Sequence, residues 1–420
     1  MDQFGYCRHS PYLQNRKQIL SPFRKVSRTF IRWCQARNAT MRTELLGGFS
    51  PRNFLHDYWQ KKPLLVRGAL PGFQGLLTCN DLIGLACRDD AQSRLITQRN
   101  GKWQLRHGPF APDHFSRLPK KQWTLLVQDV NHFLPAAREL LLEFNFIPHS
   151  RLDDLMVSFA PDGGGVGPHF DSYDVFLLQG MGRRYWQISA QRDKSLVVDA
   201  PIKILREFRP EQEWVLEPGD MLYLPPGYAH NGVAESNCMT YSIGFRAPGY
   251  QELATQFLVY LQDNIAIEGM YRDPDISLQS HPAHISSAMV RQAGEALEKI
   301  KWGHTDIERF IGTYLTEPKP HVFFTPPSHP VTQKKFADQV RKRGLQLDLK
   351  SRMLCRGKTI FLNGDGYSVA ATVRRSLEKL ADRLMLPTAR DLDDEALALC
   401  YQWYLYGYIE IVIQPTGTRA

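Results

Sequence analysis

No stretch of this sequence approaches the roughly 18 uninterrupted apolar residues of a membrane span, which excludes a helical integral membrane protein. Cysteine is sparse: the seven residues Cys7, Cys34, Cys79, Cys87, Cys238, Cys355 and Cys400 are scattered, odd in number and contain no C-x-x-C pair. A disulfide framework and a zinc ribbon are thereby disfavoured, and a reducing compartment fits. Each thiol reads as a small buried or indifferent residue. There are no internal repeats and no low-complexity tracts, so repeat architectures drop out. Acidic residues are nearly missing from one region only. Residues 1–40 hold eight bases against the single acid Asp2 and so carry +7 of the net +9, which leaves the other 380 residues nearly neutral.

That basic segment lacks the apolar core of a secretory signal. Three readings remain for it: upstream sequence ahead of a start at Met41, an organelle transit peptide, or a basic nucleic-acid arm. What remains of the 420 residues is enough for two to three domains.

Ser50-Pro51-Arg52-Asn53 reads as a helix start, with an N-cap serine followed by proline at the first helical position. After Asp154 come short segments rich in β-branched and aromatic residues, separated by glycine and proline: 155–160, 174–179, 183–188, 213–216, 220–224 and 239–245. Many short strands with such turns predict a sandwich or barrel. The period changes after Gly249. Leu253, Phe257 and Leu261, with Ala254 and Leu258 beside them, predict the buried stripe of a helix, and further helices follow near 287–300 and 306–315. Five prolines between Pro318 and Pro330 mark a linker or an irregular crossing. Beyond them, helices near 332–343, 368–384 and from Asp393, with strands at 359–363 and 408–413, predict a winged-helix-like unit or an α/β cap of no defined class.

The chemistry is concentrated in Gly163-Gly164-Gly165-Val166-Gly167-Pro168-His169-Phe170-Asp171. His169 and Asp171 stand two apart, so on a strand both project from one face. A third ligand has to come from another strand, and Pro218-Gly219-Asp220-x-Leu222-x-x-Pro225-Pro226-Gly227-x-x-His230 supplies it, its turns delivering His230 at the start of the next element. Two histidines and a carboxylate with open positions suit non-haem Fe(II), with zinc as the alternative metal.

These residues resemble the cupin-like, JmjC-type 2-oxoglutarate oxygenases. The resemblance narrows to the bacterial ribosomal oxygenases on Tyr58-Trp59-x-Lys61-Lys62-Pro63, Arg151-x-Asp153-Asp154-Leu155-Met156, the run Gly163–Trp186, the segment Glu217–His230 and Tyr241–Pro248. It spans residues 49 to 415 and leaves the basic segment outside. The fold it implies is α+β: a double-stranded β-helix domain over 41–248, a helical dimerisation block over 249–325 and a winged-helix-like domain over 326–420. The activity it implies is Fe(II)- and 2-oxoglutarate-dependent hydroxylation of an arginine of a large-subunit ribosomal protein, by a homodimer in the bacterial cytoplasm. Organelle targeting by residues 1–40 stays open.

By the same resemblance His169, Asp171 and His230 are the catalytic metal ligands. Arg184 pairs the far carboxylate of 2-oxoglutarate, and Ser158 is a second cosubstrate contact. Arg183 would take the place of Arg184 if the strand register slipped by one. Met156 and Trp186 read as wall and core beside the site. Asp162 and Asp174 are candidates for an arginine pocket but read more readily as loop or structural acids. Asp220 reads as a turn residue, and His107 and His132 as structural. Alternative activities are histidyl hydroxylation or lysine demethylation at the same site. A further alternative is a ribosome- or nucleic-acid-binding adaptor with an inactive cupin, using Lys334, Lys335, Arg341, Lys342 and Arg343.

Overall fold

The computed structural model describes residues 44–99, 101–390 and 392–412; the basic segment 1–40, Asp391 and Ile413 lie outside the described residues. The chain divides between Ala247 and Pro248 into two compact units. In the first, helix α1 (Pro51–Asp57) starts as the sequence predicts: the Ser50 hydroxyl accepts from the Asn53 N–H at 3.1 Å and Pro51 opens the helix. Then come β1 (Leu64–Val66), α2 (Cys79–Ala86), β2 (Ser93–Arg99), β3 (Lys102–His107), α3 (Pro112–Ser116), β4 (Trp123–Val127) and α4 (Pro135–Leu142). Eight strands follow: β5 (Leu152–Ala160), β6 (His169–Phe170), β7 (Asp174–Met181), β8 (Arg184–Ser189), β9 (Gln212–Leu216), β10 (Met221–Leu224), β11 (Ala229–Ala234) and β12 (Cys238–Phe245).

Two antiparallel sheets result, a large one in the order β1-β10-β7-β12-β5-β4-β2-β3 and a small one in the order β6-β11-β8-β9. From β5 onward the chain crosses between them, with β5, β7, β10 and β12 in the large sheet and β6, β8, β9 and β11 in the small one. This winding is the double-stranded β-helix expected from the motifs. The large sheet is covered on both faces, so its central strands read as nearly continuous apolar runs, yet strict alternation decides what each face does. Phe159, Phe176, Tyr223, Tyr241 and Phe245 join Phe54 of α1 and Leu140 of α4 in the main core. Their opposite neighbours Val175, Leu177, Leu222 and Leu224 meet Trp186 and Ile188 of the small sheet in a second cluster. Aromatic centroids lie as close as 4.8 Å, between Phe176 and Tyr223. Burying each such side chain contributes about 1.5–3 kcal/mol.

The second unit holds α5 (Tyr250–Asn264), α6 (Ser287–Leu297), α7 (His304–Thr316), α8 (Gln333–Arg343), β13 (Leu345–Leu347), β14 (Met353–Arg356), β15 (Thr359–Leu362), β16 (Asp365–Ser368), α9 (Ala371–Arg383), β17 (Met385–Leu386), α10 (Asp394–Leu405) and β18 (Ile409–Ile411). Phe336, Leu377, Leu380 and Trp403 centre its core. Two expectations change here. Leu261 of α5 is buried, but Leu258 is exposed, so the stripe is narrower than the periodicity suggested. Helix α7 packs against the β14-β15-β16 sheet: a Cβ on Gly312 would collide with the Phe361 ring, and Thr316 Oγ1 accepts from the Gly364 N–H at 3.1 Å. A boundary at 325/326 therefore falls inside a packed unit. Of the basic residues considered for nucleic acid, Arg341 pairs with Asp394 at 2.9 Å and Arg343 donates to the Val412 carbonyl at 3.1 Å, which engages two of the five within the unit. The described cysteines are all free thiols, and no described helix is long and apolar enough to cross a membrane.

Candidate metal and cosubstrate site

Strand β6 is only two residues long, but its pairing is informative. His169 stands directly opposite His230 of β11, with ring centroids 4.2 Å apart. Asp171, just past β6, brings its Oδ2 to 3.9 Å from His169 Nε2 and 3.6 Å from His230 Nε2. The three ligand atoms lie within 4.8 Å of one another, and among the described residues no other group of three or more such side chains converges in this way. The Pro225-Pro226-Gly227 turn ties them together, since the Gly227 N–H donates to the Asp171 carbonyl at 2.6 Å. Gly227 takes a φ of 75°, the left-handed region glycine enters freely. The glycine run ahead of His169 has a steric reason as well: a Cβ on Gly164 would collide with the Trp123 carbonyl of β4, so the loop can lie flush on that strand only without side chains.

Both imidazoles are oriented alike. Nδ1 of His169 donates to the Gly167 carbonyl and Nδ1 of His230 to the Tyr228 carbonyl, each at 2.9 Å. Each bond fixes the tautomer and leaves Nε2 as a bare lone pair aimed at the common point, the second support that metal-binding histidines use. Burial, then the neighbouring His169, push the His230 pKa down to about 4, against the opposing pull of Asp171. A neutral imidazole is the form that ligates metal. Two neutral nitrogens and one carboxylate on one side, with the other side open to a cavity of about 500 Å³, fit a divalent cation that keeps exchangeable positions.

Arg184 opens β8 and faces inward with Trp186, whereas Arg183 lies on the outside and pairs with Glu235 at 2.8 Å. The register left open by the sequence thus resolves in favour of Arg184. Its guanidinium is buried, lines the same cavity as the histidines, and stacks 5.4 Å from the Trp186 ring. Nη1 donates to Ser158 Oγ and Thr240 Oγ1, each at 3.1 Å, while the buried Nε has no partner. Burial holds this guanidinium below its ordinary pKa. A buried cation whose neighbours are two hydroxyls is costly unless an anion completes it. The vacant edge of the guanidinium suits a carboxylate bidentately.

The large sheet builds this side of the cavity as one cross-strand row: His107, Arg94, Leu126, Ser158 and Thr240 are successive register partners that line it, and the buried Gln179 of β7 continues the row behind them. Sequence reasoning named Ser158 and passed over Thr240, Gln179 and Arg94. A signal existed in β12, where Thr240 and Ser242 alternate with Met239, Tyr241 and Ile243, placing hydroxyls on every second position of a strand buried on both faces. Met156 and Trp186 line the cavity as expected, and so does His107, from an exposed strand end rather than a structural position. His132 is buried in the turn Val130–His132, away from the cavity. Asp162 pairs with Lys121 at 2.5 Å outside the cavity. Asp174 is completely buried on the core side, accepting from Tyr223 at 2.7 Å, Gln60 at 2.9 Å and Arg151 at 3.2 Å. Asp220 accepts from the N–H groups of Gly68 and Glu217 and pairs with Arg67 at 2.6 Å, the turn role expected of it. Neither Asp162 nor Asp174 forms an arginine pocket beside the metal cluster.

A double-stranded β-helix carrying two histidines, an aspartate and a buried unpaired arginine defines the class: a JmjC-type oxygenase dependent on Fe(II) and 2-oxoglutarate. Comparison with known proteins sharpens it. Family models match a JmjC domain at residues 139–253 and a ROXA-like winged helix at 297–410, the latter taking in α7. The chain is 33% identical over 346 residues to the ribosomal protein uL16 3-hydroxylase of Escherichia coli, covering 81% of this chain and 91% of that one. It is 39% identical over 259 residues to a probable ribosomal oxygenase of Haemophilus influenzae, covering 60% and 62%. The structure of the Escherichia coli ribosomal oxygenase YcfD in complex with cobalt and 2-oxoglutarate matches with a TM-score of 0.73 at 32% identity, over 86% of this chain and 98% of that one. The chain belongs to the bacterial ribosomal oxygenases.

Proposed function

We propose that this oxygenase hydroxylates an arginine side chain of a large-subunit ribosomal protein, uL16 being the first to test. In this reading His169, Asp171 and His230 hold Fe(II), and Arg184 with Ser158 receives the far carboxylate of 2-oxoglutarate. The single observation that carries this arrangement is the buried guanidinium without an acidic partner, sharing one cavity with three converging metal-ligand atoms, and similarity to the uL16 3-hydroxylase supports the substrate. With 2-oxoglutarate and oxygen, Fe(II) supplies the coupling of keto-acid decarboxylation to succinate with insertion of one oxygen atom into a C–H bond. The chain's own residues bind and orient. The carbonyls of Gly167 and Tyr228 keep both imidazoles pointed inward, Arg184 neutralises the distal charge of the cosubstrate, and Trp186 walls the cavity against water. No separate acid or base is assigned.

Catalysis belongs to the β-helix domain at 41–248. Within the stretch at 249–325, the part ahead of α7 serves association with a second copy of the chain, supported by α6, which has no buried residue, and by the exposed Met270, Ile276, Leu278, Val290 and Leu297. A ribosomal substrate is met in the bacterial cytoplasm, and there we infer that the protein works.

The test is turnover by iron-loaded protein with 2-oxoglutarate and a uL16 fragment. Succinate formation stimulated by the fragment, a gain of one oxygen atom on an arginine, and loss of both in His169→Ala are expected. No turnover with any large-subunit ribosomal protein would overturn the reading. Oxygen on a histidine, or methyl loss from a lysine, would overturn its arginine.

A further inference from the structure

We propose that Gln179 is a positioning residue for the cosubstrate: through Thr240 it fixes which edge of Arg184 faces the far carboxylate of 2-oxoglutarate. The proposal rests on the role given to Arg184 above.

Gln179 is completely buried in β7. Its Nε2 donates to the carbonyls of Met181 at 2.8 Å and Gly182 at 3.2 Å. Turned over, the amide would set its oxygen against both carbonyls, so Oε1 must be the atom that faces Thr240. Thr240 Oγ1 donates to that oxygen at 3.0 Å. A hydroxyl has one proton, and once it is committed the oxygen can only accept; it accepts from Arg184 Nη1 at 3.1 Å. Ser158 Oγ accepts from the same Nη1 at 3.1 Å. Held by two hydroxyls, Nη1 cannot swing into the cavity. What is left over is the edge that carries Nε, which is buried and without a partner.

Backbone geometry ties Gln179 to Arg184 a second time. In the pairing of β7 with β12, Met181 faces Met239 and Gln179 faces Thr240, so Gly180 is an extra, bulged residue. Only glycine fits there, because a Cβ would run into the Tyr241 ring. The bulge is followed by Gly182, at a φ of 63°, and two residues later by Arg184. The two hydrogen bonds that Gln179 donates close this corner, so one amide both shapes the approach to Arg184 and aims the hydroxyl that restrains it. Glutamate could not do the same: it would accept from Thr240 but repel the two carbonyls.

Binding of 2-oxoglutarate to cobalt-loaded protein, followed by calorimetry, tests this without turnover. Pyruvate serves as the control, since it has the keto-acid end but no far carboxylate. In Gln179→Leu the Kd for 2-oxoglutarate should rise about tenfold, the worth of one well-aimed buried hydrogen bond, with pyruvate binding unchanged. In turnover the KM for 2-oxoglutarate should rise while kcat stays the same. Thr240→Val should reproduce the loss and Thr240→Ser should not. The double variant should be no worse than Thr240→Val, because both act on one path. Should Gln179→Leu fail to fold, the valine and serine variants of Thr240 decide. Unchanged 2-oxoglutarate affinity in Gln179→Leu and Thr240→Val, or an equal loss for pyruvate, would overturn the proposal. Undiminished affinity in Arg184→Met would instead overturn the role of Arg184 itself.

Discussion

At the scale of single residues, the site depends on which protons are where. His230 is buried and kept neutral, its pKa about 4 against 6.5 for an exposed imidazole. In the metal-free protein the unfolded chain therefore binds one more proton than the folded chain between those two values. Stability must fall as pH drops from 6.5 towards 4 and level off below. Denaturant unfolding of metal-free protein at several pH values across that window should show the slope, and His230→Gln should flatten it. A slope unchanged in the variant would assign the effect elsewhere. That Asp171, His169 and His230 converge could be read in the sequence because metal ligation demands particular residue types, and turn chemistry demands particular glycines and prolines around them. Thr240 and Gln179 could not be read that way. They are neutral and 61 positions apart, and they meet through strand register alone.

Elements are held in place by a few polar ties across the apolar core. Tyr241 of β12 is buried, and its hydroxyl oxygen accepts from the N–H groups of Leu76 at 2.6 Å and Leu77 at 3.1 Å. Tyr241→Phe removes the acceptor and leaves two buried donors unpaired, at a cost of about 2 kcal/mol or more. Thermal unfolding should show the lowered stability, while metal affinity, set at His169, Asp171 and His230 beside the small sheet, should not change. Most strands after Asp154 were legible from short apolar runs and turn residues. The β2-β3 hairpin is marked only by Asn100-Gly101 between its strands, a strong hairpin signal, with Gly101 at a φ of 74°. Its outer strand is largely exposed and so carries no apolar run. Helix α5 was legible in position and misjudged in width, because periodicity reports what can be buried and not whether a partner arrives to bury it.

For the whole molecule, charge and exposed apolar surface point in different directions. Residues 1–40 carry most of the net charge, whereas the remainder is nearly neutral. Protein beginning at Met41 should therefore bind 2-oxoglutarate and turn over a uL16 fragment as the full chain does. A loss in either would give the basic segment a part in the reaction. Self-association should depend instead on the exposed apolar residues of 265–302. Light scattering should give the mass of a dimer for the unaltered chain and of a monomer when Leu278 and Val290 are both replaced by glutamate, since two charges cannot be desolvated in a packed interface.

The hydroxyl-braced guanidinium has one more consequence. Decarboxylation changes only the keto-acid end of 2-oxoglutarate, so with Arg184 in its proposed role the spent coproduct keeps the same far carboxylate that the arginine would hold on entry. The arginine cannot tell the two apart, and succinate must compete with fresh 2-oxoglutarate for one seat. With the proposed seat shared in this way, turnover should slow as succinate builds up against a fixed supply of 2-oxoglutarate, and fresh 2-oxoglutarate should restore it.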